Sequence, residues 1–274
     1  MQPPSNLPDP HAAFLEGALR VLSGDERLVG VAAGGSYRDG AMDEWSDLDL
    51  VIAVEPSDYE AVLAARTEIA ASMGPLLAAF TGEHVGEPRL LICLYGPPAL
   101  HVDLKFVSLE DAAERVEDPV VLWERDGRLS ATLRAGEACY PEPDLQWIED
   151  RFWVWVHYGA TKIGRGELWE ALDFLGFLRS RVLGPLALQT RGARPTGVRR
   201  LEQHAPDLSA MLRRTLATHE KSSCCRALET TVELYLRLRE ELDRGALERR
   251  DVAEQAATRY LAEVARRGAP KPAR

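Results

Sequence analysis

Two aspartates one residue apart, Asp47 and Asp49, stand at the head of an apolar run, SDLDLVIAV, and a third acid, Asp103, lies inside a second such run, LHVDLKFV. Successive side chains of a strand point to opposite faces, so Asp47 and Asp49 are expected to project together while Leu48 and Leu50 enter the core. Two carboxylates on one face repel each other unless a cation lies between them, and Mg²⁺ is commonly held by one or two carboxylates together with substrate phosphates. Asp103, between Val102 and Leu104, must face a polar surface. If that surface carries Asp47 and Asp49, three carboxylates converge, as two-metal phosphoryl transfer requires. A short acidic pair alone is a common accident of composition. Its weight here comes from Gly35-Ser36, which a ten-residue spacer (37–46) separates from Asp47 and which directly follows another apolar run. An unhindered backbone and a hydroxyl at such a place can wrap a phosphate.

The elements that must position these residues follow from periodicity. Asp9-Pro10 opens a helix with Leu15, Ala18, Leu19 and Leu22 on one face, and Gly24 ends it. LVGVAA (28–33) and LDLVIAV (48–54) read as strands, Pro56-Ser57-Asp58 begins a helix running to about Ser72, and RLLICLY (89–95) and LHVDLKFV (100–107) read as strands joined by a Gly-Pro-Pro turn. A short helix over 108–115, a VVLW strand and an Arg125-Asp126-Gly127 turn follow. After GEACYPEPDL (136–145) strand patterns give way to helices over 145–164, 167–188, 206–219, 223–243 and 247–266, the second ended or kinked at Gly184-Pro185. The boundary falls near residue 142. Residues 1–142 form a domain of alternating strands and helices, 143–274 a helical one, and GAPKPAR a frayed tail.

Composition narrows the function. The 274 residues are 46% hydrophobic and 28% charged, which suits neither a disordered nor a fibrous chain. No apolar stretch is long enough for a membrane span and no signal segment opens the chain, so a soluble, cytoplasmic protein with four reduced cysteines is expected. The net charge is -10, and residues 1–110 hold 17 acidic against 6 basic side chains. That balance speaks against a nucleic-acid backbone and suits metal ions or cationic substrates, although acidic surfaces also serve solubility alone. The six histidines lack zinc-ligand spacing, and neither a P-loop nor a dinucleotide-binding glycine signature is present.

The glycine-serine turn, its spacer, SDLDLVI and the later hydrophobic-Asp-hydrophobic strand together resemble the nucleotidyltransferase superfamily of DNA polymerase beta type. Within it the chain is most similar to antibiotic nucleotidyltransferases, particularly aminoglycoside 6-adenylyltransferases and lincosamide nucleotidyltransferases. VDLKFVSLEDAAERVEDPVVLWERDGRL resembles that family's third-carboxylate strand, helix and Asp-Gly turn, and RFWVWVHYGATKIGRGELWEAL its aromatic-rich first C-terminal helix. The resemblance implies an α+β fold, a mixed sheet flanked by helices plus a C-terminal helical bundle. It also implies transfer of a nucleoside monophosphate from a nucleoside triphosphate, ATP first, to a hydroxyl, with release of pyrophosphate. Asp47 and Asp49 then hold Mg²⁺, two ions in all. Gly35 and Ser36 hold the terminal phosphates, and Asp103 completes the second metal site or takes the acceptor's proton.

Other residues invite roles and have plainer alternatives. Arg38, and Lys162 four residues after Tyr158 on a helix, are candidates for the triphosphate, or are solvated surface cations. Glu149 and Asp150 are candidates for gripping an acceptor, or acids that favour a helix N-terminus. Trp147, Trp153, Trp155 and Trp169 are expected in the core, with Trp153 or Trp155 best placed to line a cleft. The leading expectation is adenylylation of an aminoglycoside lying between an acidic N-terminal domain and the helical one. Lincosamide transfer, transfer to protein or RNA as in toxin systems, and a non-catalytic relative are the alternatives. The leucine-rich face of CCRALETTVELYLRLREEL (224–243) is a candidate dimer surface, leaving monomer and homodimer both open.

Overall fold

The computed structural model describes residues 6–267, so the tail 268–274 lies outside the described residues. The chain divides into two compact units, Met1–Tyr140 and Pro141–Arg274. In the first, helices α1 (Asp9–Gly24), α2 (Gly35–Arg38), α3 (Tyr59–Ser72) and α4 (Arg128–Ala135) accompany six strands. These are β1 (Leu28–Ala33), β2 (Leu48–Val54), β3 (Leu76–Gly82), β4 (Glu87–Tyr95), β5 (Leu100–Ser108) and β6 (Val120–Glu124). They form one mixed sheet in the order β3-β4-β5-β2-β1-β6, in which β2 and β5 run parallel and every other neighbouring pair antiparallel.

Alternation decides the faces. Leu48, Leu50 and Ile52 of β2 and Val102, Leu104 and Phe106 of β5 share one core with Leu15, Ala18 and Leu22 of α1 and Val62, Ile69 and Ala70 of α3. The opposite face is covered in part, where Val29, Ala32, Ala53 and Val107 pack with Leu109, Ala112 and Leu129. Asp49, His101, Asp103 and Lys105 have the parity of this second face. Several elements depart from the sequence reading, which has no helix at Gly35–Arg38 or Arg128–Ala135. LLAAFTG lacks an alternating signature and forms the edge strand β3, and the short helix over 108–115 contracts to a 3₁₀ turn, Asp111–Ala113.

The second unit contains α5 (Leu145–Arg165), α6 (Leu168–Leu178), α7 (Gly184–Gln189), α8 (Leu201–His204), α9 (Pro206–Leu212), α10 (Lys221–Leu242) and α11 (Asp251–Arg266). Between α6 and α7 the backbone passes through a single π turn, Arg179–Leu183, so Gly184-Pro185 neither ends nor sharply interrupts the helical path. The wider turn relieves the demand for an N–H that proline lacks. Phe152, Val156, Ala160 and Ile163 of α5 pack with Leu228, Leu234, Tyr235 and Leu238 of α10 and Leu261 and Val264 of α11. Tyr235 stacks on Phe152 at 3.7 Å between ring centroids. The leucine-rich face that was a candidate dimer surface is thus buried in its own bundle. Among the described residues no helix is long and apolar enough to cross a membrane, and the four cysteines are free thiols.

Gly184 marks the tightest backbone approach in this unit. A Cβ there would stand 2.3 Å from the Gly197 carbonyl oxygen and 2.9 Å from that of Arg179. Backbone cannot swing aside as a side chain can, so Gly184→Ala is expected to destabilise the protein by about 2 kcal/mol, read as a lowered midpoint in urea unfolding.

Candidate active site

The site begins where β1 ends. Gly34 donates its N–H to the Asp49 carbonyl at 2.9 Å, tying the turn to β2. Gly35 then adopts φ +53, and a Cβ on it would lie 2.1 Å from Asp49 Oδ2. Glycine is required there twice over, for the dihedral and for the carboxylate pressed against it. The Gly35 N–H donates to Glu117 Oε1 at 2.7 Å. Ser36 is buried, and its hydroxyl donates to Met42 Sδ at 3.2 Å. Arg38, exposed at the end of α2, pairs with Asp39 at 2.9 Å and stands 3.9 Å from Glu117 Oε2.

Asp49 and Asp103 are direct partners in the parallel β2–β5 register, so their side chains leave the same face. Asp47 precedes β2 by one residue. Burial pushes the Asp103 carboxyl above its ordinary value, the His101 imidazole opposes this, and the charge of Asp47 adds to it. His101 Nε2 lies 3.0 Å from Asp103 Oδ1, a contact that the shared parity of 101 and 103 makes legible in hindsight. Glu117 had no such signal, because it reaches the turn from 82 residues away. Lys105 is engaged by Glu87 at 2.8 Å, and Arg89 and Lys105 together hold the Glu87 carboxyl down at about 2.

Among the described residues no three carboxylate, imidazole or thiol side chains stand close enough to hold a metal ion as they are placed. The chemistry of the donor set nevertheless fits a divalent cation. Carboxylate oxygens are the hard ligands that Mg²⁺ takes, and the repulsion between Asp47 and Asp103 is what a cation relieves. Asp47, Asp49 and Asp103 are the residues that would hold it.

The helical unit corrects the expectations for Glu149 and for two of the tryptophans. Glu149 does not face an acceptor. It is fully buried, and its oxygens accept from Trp153 Nε1 at 3.0 Å, the Tyr235 hydroxyl at 2.5 Å, Arg239 Nη1 at 3.2 Å and the Arg250 N–H at 2.9 Å. Asp150 is exposed and pairs with Arg250 at 2.7 Å. Lys162 pairs with Glu167 at 2.6 Å and lies over the Tyr158 ring at 5.1 Å. Trp153 is core, whereas Trp147 and Trp169 are exposed, against the core expectation. Trp155 joins Tyr158, Glu170, Asp173, Phe174 and Phe177 around an open groove of about 480 Å³.

Residues 15–114 match the nucleotidyltransferase domain family, a stretch that contains Gly35, Ser36, Arg38, Asp47, Asp49 and Asp103. That match gives residues 15–114 as a nucleotidyltransferase domain. No curated protein matches it at a significant level. An aminoglycoside 6-adenyltransferase from Bacillus subtilis is similar at 16% identity over 93% of this chain and 98% of that one, with a TM-score of 0.41. A nucleotidyltransferase-like protein from Exiguobacterium sibiricum 255-15 is similar at 16% identity over 91% and 79%, with a TM-score of 0.38. At that distance the activities of those proteins remain their own.

Two outcomes follow from the electrostatics. Because burial raises the Asp103 carboxyl, ionising it costs free energy in the folded protein. Asp103→Asn is therefore expected to stabilise the metal-free protein at pH 7 by about 0.5–1 kcal/mol, seen as a higher Tm. Glu149 has the opposite sign. Burial alone would raise its carboxyl, but the N–H of Arg250, the Tyr235 hydroxyl, the Trp153 indole and the Arg239 charge together hold it below 4.5. Its contribution is present above that unfolded value and is lost as pH falls through the lowered folded one. Glu149→Gln should cost about 3 kcal/mol at pH 7 and flatten the acid limb of the stability profile, measured by urea unfolding across pH 3–7.

Proposed function

We propose that this enzyme transfers a nucleoside monophosphate, AMP from ATP, to a hydroxyl of a small cationic antibiotic of aminoglycoside type, in a Mg²⁺-dependent reaction that releases pyrophosphate. The observation that carries the reading is the pairing of Asp49 with Asp103 on one sheet face, next to the Gly34-Gly35 turn. When bound, divalent ions neutralise the triphosphate and acidify the attacking hydroxyl. The chain's own residues supply the rest. The backbone N–H of Gly35, the Ser36 hydroxyl and the Arg38 guanidinium are donors for the terminal phosphates. Asp47 and Asp49 fix the ions. The acceptor oxygen forms its bond to the α-phosphorus, the bond to the bridging oxygen breaks, pyrophosphate carries away that electron pair, and the proton passes to a carboxylate. Asp103 suits that last role, because burial makes it a better proton acceptor than an exposed aspartate.

Charge supports a cationic acceptor. Residues 1–110 are strongly acidic. The groove of the helical unit sets the carboxylates of Glu170 and Asp173 among four aromatic rings, surroundings that favour ammonium groups. Incubating the protein with labelled ATP, GTP, CTP and UTP against a panel of aminoglycosides, lincosamides, proteins and tRNA tests the reading. Label on an aminoglycoside from ATP is the expected result, and label confined to protein or tRNA overturns the acceptor. Asp49→Asn is expected to lower transfer by at least about a thousandfold with the Tm preserved.

A further inference from the structure

The turn that the proposed function gives to the triphosphate is already engaged by an anion of the chain itself. Glu117 Oε1 accepts the Gly35 N–H at 2.7 Å, and the same oxygen is the first atom that a side chain on Gly34 would meet, also at 2.7 Å. Glu117 sits between the Asp111–Ala113 turn and β6, and its side chain is only 18% exposed. Arg38 Nη1 stands 3.9 Å from its second oxygen. On the other side of Gly35 lies the carboxylate of Asp49. A single N–H serves one strong acceptor at a time, and a phosphate oxygen set beside the Glu117 carboxylate would bring two anions into contact in a partly buried place.

We propose that Glu117 is an internal competitor for the triphosphate. It satisfies the Gly35 N–H before nucleotide arrives and must withdraw for a phosphate to take its place. The inference rests on the reading of this turn as the phosphate site. In return, Glu117 keeps the turn in shape, since even a partly buried N–H without an acceptor is costly. Nucleotide binds only to the fraction of molecules in which the carboxylate has moved out, so the apparent affinity is lowered by that fraction. Glu117 thereby sets the concentration of triphosphate at which the enzyme fills.

The test is calorimetric titration of the full chain and of Glu117→Ala and Glu117→Gln with two probes. One is tripolyphosphate without metal, the other a non-hydrolysable ATP analogue with Mg²⁺. Glu117→Ala is expected to bind both at least about fivefold more tightly than the natural chain. Glu117→Gln, whose neutral amide oxygen can still accept the Gly35 N–H, is expected to fall between them. It keeps the shape of the side chain and decides the matter if the alanine variant fails to fold. Equal or weaker binding by the variants, with the natural chain binding normally, overturns the role of Glu117 and leaves the nucleotide reading standing. Failure of all three proteins to bind either probe overturns both.

Discussion

Two carboxylates held side by side by a ladder of parallel backbone hydrogen bonds are the constraint on which this nucleotidyltransferase domain depends. Asp49 and Asp103 do not choose their neighbourhood. The register that pairs them runs unbroken from Leu48–Val102 to Val54–Ser108, and it is secured by the apolar residues between the acids. A slip of one residue would carry Leu48, Leu50 and Ile52 out of the core and turn the carboxylates into it. Hydrophobic burial on one face therefore imposes the juxtaposition of acids on the other, and Asp103 there carries a raised proton affinity, chiefly from burial, with the charge of Asp47 adding to it.

Acidic side chains serve two different ends in the two units. Around Gly35 they are crowded: Asp49 presses on the glycine from one side, and Glu117 caps its N–H from the other. In the helical unit Glu149 is the reverse case, a buried charge surrounded by donors from α5, α10 and the residue before α11, with Arg239 bridging it to Glu254 at 2.9 Å. The first arrangement adjoins a carboxyl, that of Asp103, raised by burial and by the charge of Asp47, whereas the buried charge of the second has already been satisfied by the protein.

Much of this was legible in the chain. LVGVAA and LDLVIAV mark β1 and β2 because their apolar runs are bounded by glycine and by acids, and the polar-apolar alternation of LHVDLKFV places Asp103 on the face opposite Phe106. The start and end of α1 follow from Asp9-Pro10 and Gly24. What was hidden has physical reasons. LLAAFTG is an edge strand with exposed Leu77 and Phe80, so no alternation announces it. Gly184-Pro185 reads as a break, because local propensity cannot show that a π turn upstream absorbs the proline. The acids of α5 look alike along the sequence. Only tertiary packing separates buried Glu149 from exposed Asp150, and only long-range folding delivers Glu117 to Gly35.

The parallel pairing of β2 with β5 also governs when the site comes into being. Parallel neighbours need a crossover, and here that connection carries α3, β3 and β4 before β5 returns to lie beside β2. A chain emerging from the ribosome can form β1 and β2 early, but Asp49 lacks its companion acid until residue 103 has been synthesised and inserted between β4 and β2. The two carboxylates meet late, in a contact of high sequence separation that closes slowly. One of the three acids grouped at this end of the sheet, Asp103, therefore does not exist until the sheet is nearly complete, whereas Asp47 and Asp49 are made early.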